Sequence, residues 1–367
     1  LQYTVLGSGN GARAWCAQIA GAGRSVTMWE PLEATEDYRK LEKEPQLFLE
    51  GDIETGGELA SVTMDIGEAM KGSEMVLVVV PSFAHEPIFR KMIPHLVDGQ
   101  TVVIVPGNFG GFRLLKMMGE AGCTADIAIA ETDTMPYACR ISAWNKVLCF
   151  KKKFKVNLGV MPVARTEPVV ASLNELFSGY IEFVAAGNVL QVDMDNPNYV
   201  LHPFPVLLNY GDIEKNPSTF RHYMDGITPL ISEQMEAMDQ ERIAVGKALG
   251  LDLDRCLDKL KEYYGDNDTT TLHEYVNSPE SPYVDLVGQN VRSRYISEDV
   301  PGVLTPIIQL ADKAGKKAPI ASLVVDLASL LHDTDYYGGG STLETLGIDR
   351  FSLEEIKSIV ENGKYPS

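Results

Sequence analysis

A chain of 367 residues, 45% hydrophobic and 23% charged, is long enough for two domains and has the make-up of a soluble globular protein. A formal net charge of −19 weighs against nucleic acid or an anionic membrane surface as partner, while still allowing a locally basic site. Five dispersed cysteines (Cys16, Cys123, Cys139, Cys149, Cys256) with no CxxC pair point to reduced thiols in a cytoplasmic setting, and the apolar run over 75–80 is far too short to span a bilayer.

The chain opens on an apolar run, Tyr3-Thr4-Val5-Leu6, read as a strand. Gly7-Ser8-Gly9-Asn10-Gly11-Ala12 follows, then a stretch over 13–20 with apolar residues at helical spacing. Strand, glycine turn and helix in that order predict a dinucleotide-binding βαβ unit. Gly7 permits the tight turn, Gly9 lets the backbone approach a pyrophosphate, and Ala12 still allows the helix to pack closely on the strand. The N–H groups at the helix start, from Ser8 through Gly11, face the phosphate charge. A second strand over 25–29 ends in Glu30, which can accept both ribose hydroxyls of an adenosine and would repel a 2′-phosphate. NAD is therefore the expected cofactor. Arg24 and Arg39, close to that strand, keep NADP as the alternative.

Residues 31–60 read as a helix and an irregular connection. Strands are then expected over 61–64, 75–80, 101–105 and 126–130, with helices over 66–70, 84–96 and 113–119 between them. The strand over 75–80 stops at Pro81, at the carboxyl edge where doubly wound sheets place their ligands. A second glycine-rich turn, Pro106-Gly107-Asn108-Phe109-Gly110-Gly111, ends the next strand. Further strands over 146–150, 156–160 and 181–184 and a helix over 167–176 complete a mostly parallel sheet with helices on both faces. Past residue 186 helical periodicity takes over, with helices expected over 227–249, 252–263, 303–314, 318–332 and 352–362. The fold class is thus an α/β Rossmann-type domain over 1–185 and an all-α domain over 186–367. On the longest helix Glu236, Asp239, Glu241, Arg242 and Lys247 read as a solvated face.

Hydride transfer needs an acid–base group beside the cofactor. Six histidines are present, and His202 stands apart in Asn196-Pro197-Asn198-Tyr199-Val200-Leu201-His202-Pro203-Phe204-Pro205. The residue before a proline is pushed out of helical geometry, so His202 should mark a break between two apolar helical stretches. The remaining histidines read as surface or helix-face residues, and His332-Asp333-Thr334-Asp335 lacks the spacing of metal ligands, so no metal is expected.

His202-Pro203-Phe204-Pro205 with Leu207-Leu208-Asn209 resembles the histidine motif of the opine dehydrogenases, and Arg294-Tyr295-Ile296-Ser297-Glu298-Asp299 resembles that family's arginine five residues before an aspartate. Glu131-Thr132, Pro136-Tyr137-Ala138-Cys139-Arg140, Gly226-Ile227-Thr228-Pro229, Glu241-Arg242-Ile243-Ala244 and Thr342-Leu343-Glu344-Thr345-Leu346-Gly347 extend the likeness over nearly the whole chain. The resemblance implies reductive condensation of an amino acid with a 2-oxo acid, by default pyruvate, using NAD(P)H, and the reverse oxidation. It implies His202 as general acid–base, Asp299 as the partner that raises its pKa, and Arg294 as the clamp on the oxo acid's carboxylate. Asn108 and Cys139 match positions that line the substrate pocket in the family. Two other readings compete. Ketopantoate reductases and related hydroxyacid dehydrogenases use a lysine acid, yet 186–213 contains none. A non-catalytic NAD-binding regulator would have no need of the histidine, arginine and aspartate together. A homodimer through the helical half and a substrate cleft between the domains complete the expectation.

Overall fold

The computed structural model describes residues 1–366. The chain divides into two compact units, Leu1–Val192 joined by the segment from Lys357, and Asp193–Ile356.

The first unit holds β1 (Gln2–Leu6), α1 (Asn10–Gly21), β2 (Ser25–Trp29), α2 (Glu36–Lys43), β3 (Gln46–Gly51), β4 (Thr55–Glu58), β5 (Ser61–Thr63), α3 (Ile66–Met70), β6 (Met75–Val78), α4 (His85–Met92), β7 (Thr101–Ile104), α5 (Gly110–Glu120), β8 (Ala128–Thr132), β9 (Tyr137–Ala143), β10 (Lys146–Lys152), β11 (Lys155–Met161), α6 (Thr166–Leu176) and β12 (Glu182–Ala185). Eight strands form one sheet in the order β12-β11-β8-β7-β6-β1-β2-β5, parallel throughout except where β11 meets β8. All four residues of β6 are buried, as expected of a strand covered on both faces. The order reverses between β1 and β6, so the turn after Leu6 and the loop at Pro81 flank the switch point where open α/β sheets bind ligands. Helix α1 buries Ala14, Trp15, Cys16, Ala17 and Ile19, with Trp15 edge-on to Phe177 at 4.8 Å between ring centroids.

The expectation for 31–60 needs correction. Beyond α2, the segment Gln46-Leu47-Phe48-Leu49 alternates and pairs as a hairpin with β4; with β10 and β9 this makes a second sheet in the order β4-β3-β10-β9. Strand β9 also lay outside the predicted elements. Its alternation, Tyr137 buried and Ala138 exposed, is short and polar enough to pass for a loop.

The second unit is helical: α8 (Asn198–Leu201), α9 (Pro203–Leu208), α10 (Tyr210–Lys215), α11 (Pro229–Ala248), α12 (Cys256–Tyr264), α13 (Leu272–Val276), α14 (Arg294–Ser297), α15 (Thr305–Lys313) and α16 (Pro319–His332). Two helices straddle the boundary between units, α7 (Val189–Met194) before it and α17 (Leu353–Asn362) after it. Thr228 caps α11 by accepting from Ile231 N, and Pro229 occupies the first helical position, where a missing N–H costs nothing. The polar residues of α11 are not all a solvated face. Asp239 and Arg242 are buried, and Glu241 accepts from Ile320 N (2.8 Å) and Ala321 N (3.1 Å), satisfying the first turn of α16. No helix among the described residues is long and apolar enough to cross a membrane.

Candidate active site

Two constellations were expected, and the structure places the glycine turn beside Glu30 and brings His202 to Asp299, while Arg294 pairs with Glu298. In the first unit Gly7 sits at φ +131°, a conformation that favours glycine, and a Cβ there would come within 2.6 Å of the Val79 carbonyl. A Cβ at Gly9 would meet nothing within 4 Å, so the space above the turn is open. Gly9 caps α1 without a side-chain acceptor, which leaves the first-turn N–H groups directed at that space. Ser8 donates its hydroxyl hydrogen to Glu30, whose other oxygen accepts from Leu32 N at 2.9 Å. Arg13 braces the turn from below by donating to the Ser8 carbonyl at 2.9 Å. Asn10 accepts from Ile141 N at 2.9 Å, and Ala12 is buried against the sheet. An open glycine turn, an uncapped helix start and a held carboxylate at the end of β2 fit the pyrophosphate and ribose of a dinucleotide. Pro81 precedes a short 3₁₀ turn after β6.

In the second unit the prolines shape the site. Pro203 and Pro205 carry no N–H, so the helical run breaks at His202 and leaves the carbonyl of Leu201 without its usual partner. His222 fills that gap: its Nε2 donates to Leu201 O at 2.9 Å, while its Nδ1 faces Gln289 Nε2 at 3.2 Å. With the backbone so fixed, His202 Nδ1 lies 2.7 Å from Asp299 Oδ2, a contact spanning 97 positions of sequence, and Nε2 lies 3.1 Å from Tyr223 Oη. The Tyr295 ring stacks on the imidazole at 3.6 Å and 3°.

The spacing of α14 explains how one turn serves two purposes. Tyr295 and Asp299, four apart, face His202, while Arg294 and Glu298, also four apart, form an ion pair at 3.4 Å with the Arg294 side chain 71% exposed. A single π-helical turn, Val300–Leu304, follows directly after Asp299. Asn108 and Phe109 adopt φ of 50° and 60° at the start of α5, and Cys139 on β9 lies opposite Cys149, its thiol pushed up to about 12 by burial. These two belong to the first unit, Asn108 in a turn and Cys139 in the smaller sheet.

The electrostatics of the dyad differ from expectation. Burial pushes the His202 imidazole down to about 3, with Arg294 adding to the shift, and it pushes the Asp299 carboxyl well above the usual carboxylate range. Loss of water outweighs the attraction that was expected to raise the imidazole. The two groups share one bond and titrate together. Both shifts favour the uncharged pair, in which one proton lies between Nδ1 and Oδ2 and Nε2 carries a hydrogen.

The remaining histidines are not surface residues as a group. His85, His222 and His332 are buried, and His332 is engaged by Tyr336 Oη at 2.7 Å and the Val291 carbonyl at 2.9 Å. Sequence reasoning passed over His222, Tyr223 and Tyr295. The one signal available was adjacency, since Tyr295 follows Arg294 and His222-Tyr223 form an aromatic pair.

The family model for the NAD/NADP octopine/nopaline dehydrogenase alpha-helical domain matches residues 185–332, and that for the NAD-dependent glycerol-3-phosphate dehydrogenase N-terminus matches residues 2–113. Opine dehydrogenase of Arthrobacter sp. (strain 1C) is 32% identical over 362 residues, covering 98% of each chain. The chain belongs to the opine dehydrogenase family. Octopine dehydrogenase of Mizuhopecten yessoensis is 26% identical over 283 residues, 70% of each chain. A solved octopine dehydrogenase bound to NADH and L-arginine shares the fold with a TM-score of 0.82 at 22% identity, covering 100% of this chain and 99% of that one. A ketopantoate reductase from Ralstonia eutropha JMP134 reaches 0.63 at 14% identity over 91% of this chain and 99% of its own. As an opine dehydrogenase, the protein is an NAD(P)-dependent oxidoreductase acting on CH–NH donors, which condenses an amino acid with a 2-oxo acid reductively and catalyses the reverse.

Proposed function

We propose that His202 is the acid–base group of this condensation, with Asp299 as the partner that holds its proton. The observation carrying this reading is the 2.7 Å bond between Nδ1 and Oδ2 in a buried setting, which leaves Nε2 with a phenol, Tyr223 Oη at 3.1 Å, as its partner. In the condensing direction Nε2 gives its hydrogen to the hydroxyl departing from the carbinolamine. The pair is left as Nδ1–H facing a carboxylate, and the hydroxyl leaves as water. In the oxidative direction the bare Nε2 takes a proton from the attacking water. The glycine turn from Gly7 to Ala12 and Glu30 would hold NAD(P)H, which would supply the hydride for the imine. Arg294, held near the imidazole but exposed, offers its planar fork to the oxo acid's carboxylate. Asn108 and Cys139 are assigned to the pocket lining.

The domain expectation becomes a proposal in the same terms: residues 1–185 bind the dinucleotide and 186–367 present the substrates. NAD is preferred over NADP, because Glu30 holds a carboxylate where a 2′-phosphate would sit and Arg24 is paired with Glu175. Pyruvate, present in a solved octopine dehydrogenase complex with NADH, is the proposed oxo acid. All five cysteines are free, in keeping with a cytoplasmic place in amino acid metabolism. Leu323 and Leu330, exposed seven residues apart on α16, support a homodimer through the helical unit. The test is a matrix of amino acids against 2-oxo acids with NADH and NADPH, read by nicotinamide absorbance. The reading requires activity with a 2-oxo acid and an amino acid together, faster with NADH, and severely reduced in His202→Ala. Turnover by His202→Ala at the wild-type rate overturns it.

A further inference from the structure

Nε2 of His202 is the nitrogen that meets substrate in this reading, and it already has a partner. Tyr223 Oη lies 3.1 Å from it and 3.4 Å from Tyr295 Oη, and the ring of Tyr295 is the one stacked on the imidazole. The three side chains close a loop: imidazole to phenol, phenol to phenol, and ring back onto imidazole. Tyr223 is held firmly there. It is buried, its ring stacks on Tyr283 at 3.8 Å and 11°, and His222 meets it edge-on at 4.8 Å.

We propose that Tyr223 is a positioning residue whose hydroxyl follows the proton of the His202–Asp299 pair, accepting from Nε2–H while the pair is loaded and donating to bare Nε2 once the proton has left. The proposal rests on His202 being the acid–base group. Tyr295 absorbs the reversal: its hydroxyl accepts from Tyr223 in the loaded state and donates to it afterwards. A hydroxyl is suited to this because one oxygen both donates and accepts; an ammonium only donates and a carboxylate only accepts. The substrate hydroxyl shares the Nε2 hydrogen with Tyr223 during transfer, and no heavy atom of the phenol has to move.

The other ionisable groups facing His202 do not supply this function. Asp299 is committed to Nδ1, His222 is committed to Leu201 O and Gln289, and Arg294 and Glu298 pair with each other. A phenol is a better donor than acceptor, because its lone pair is drawn into the ring. Losing it therefore destabilises the bare-Nε2 state more than the loaded one, and the pair holds its proton to higher pH.

The experiment is the pH profile of condensation by Tyr223→Phe. The expected result is kcat lower by roughly ten- to a hundredfold, as for loss of a buried hydrogen bond to the reacting acid, with both KM values within about threefold of wild type. The alkaline inflection of kcat is expected to move to higher pH. Wild-type kcat with an unmoved inflection, in a variant that binds NADH and has the wild-type circular dichroism, overturns the proposal. Tyr295→Phe keeps the stacked ring and removes only the far hydroxyl; changes of the same sign but smaller are expected. Should Tyr223→Phe not fold, this second variant carries the test, and wild-type behaviour in it overturns the proposal equally. His202→Ala run in parallel separates the two failures. An inactive His202→Ala beside an unaffected Tyr223→Phe rejects the tyrosine's role alone, whereas an active His202→Ala removes the acid–base reading beneath it.

Discussion

Two buried charge clusters in the helical unit are built in opposite ways. Around Arg242 nearly every arm is satisfied. Nη1 donates to Asp195 (2.9 Å) and the Met194 carbonyl (2.8 Å), Nε to Asp239 (2.9 Å), and Nη2 to the Asp254 carbonyl. Asp239 also accepts from Cys256 N at 2.7 Å, and Lys259 stands 3.7 Å from Asp195. Around His202 there is one short charged bond, to Asp299, and the other nitrogen has only a neutral phenol, Tyr223 Oη at 3.1 Å, with aromatic rings filling the space around them. The first cluster surrounds its charges with many short bonds, although burial still pushes Asp195 up to about 6, and ties α11 to Met194, Asp195 and the start of α12. The second leaves its charged states under-compensated, which is why burial drives both its members away from their ordinary pKa values. Saturated charged partners mark a structural site, and a pair with one charged bond and neutral phenols around it marks a chemical one.

The contrast makes ranked predictions. The largest effect is expected at His202: Ala there should lower the condensation kcat by roughly 10²–10⁴ while thermal unfolding stays near wild type. A large loss of unfolding temperature instead would make His202 another structural group. Arg242→Ala should do the converse, costing about 3–5 kcal/mol in urea unfolding because two buried carboxylates lose their countercharge. Wild-type stability in that variant would dissolve the distinction. Arg294→Lys keeps the charge and removes the planar fork, so the KM for the 2-oxo acid should rise about tenfold with kcat nearly unchanged. Equal loss from both parameters would place Arg294 elsewhere in the reaction.

A separate effect is on acid stability. His85 and His222 are each pushed down to about 3 by burial, with Arg113 and His202 respectively as the second cause. An unfolded histidine binds its proton near 6.5, so the unfolded state takes up more protons than the native one between that pH and 3. The stability these histidines contribute is complete above pH 6.5 and is lost as pH falls, at about 1.4 kcal/mol per pH unit for each. Urea midpoints measured at pH 7, 6 and 5 should decline accordingly, and His85→Phe should flatten the decline. A flat wild-type profile would show that these rings are not held neutral.

The nucleotide half was readable because its signals are local. The order of strand, Gly7-Ser8-Gly9 and helix, with Glu30 at the end of the next strand, lies within thirty residues, and each position answers a backbone demand. The break at His202 was readable for the same reason, since Pro203 and Pro205 dictate it chemically. The aromatic surroundings of His202 were not, because Tyr223 and Tyr295 come from two separate segments that only tertiary packing joins, and Asp299, on the same turn as Tyr295, was named through the family resemblance alone. The charges of α11 misled because sequence separates a solvated face from a buried ion network only when the partners are known. Asp195 lies 47 positions from Arg242. The β3–β4 hairpin escaped because its alternation is broken by Gly51, Gly56 and Gly57, which the second sheet requires and a loop would equally contain.

The most direct measurement is a double-mutant cycle on His202→Ala and Asp299→Ala, read as condensation kcat. If the two residues act as one acid–base unit, Asp299→Ala alone is severely impaired and the double variant is no slower than His202→Ala. Losses that multiply independently, or an Asp299→Ala enzyme turning over at the wild-type rate, would contradict the pairing on which the account depends.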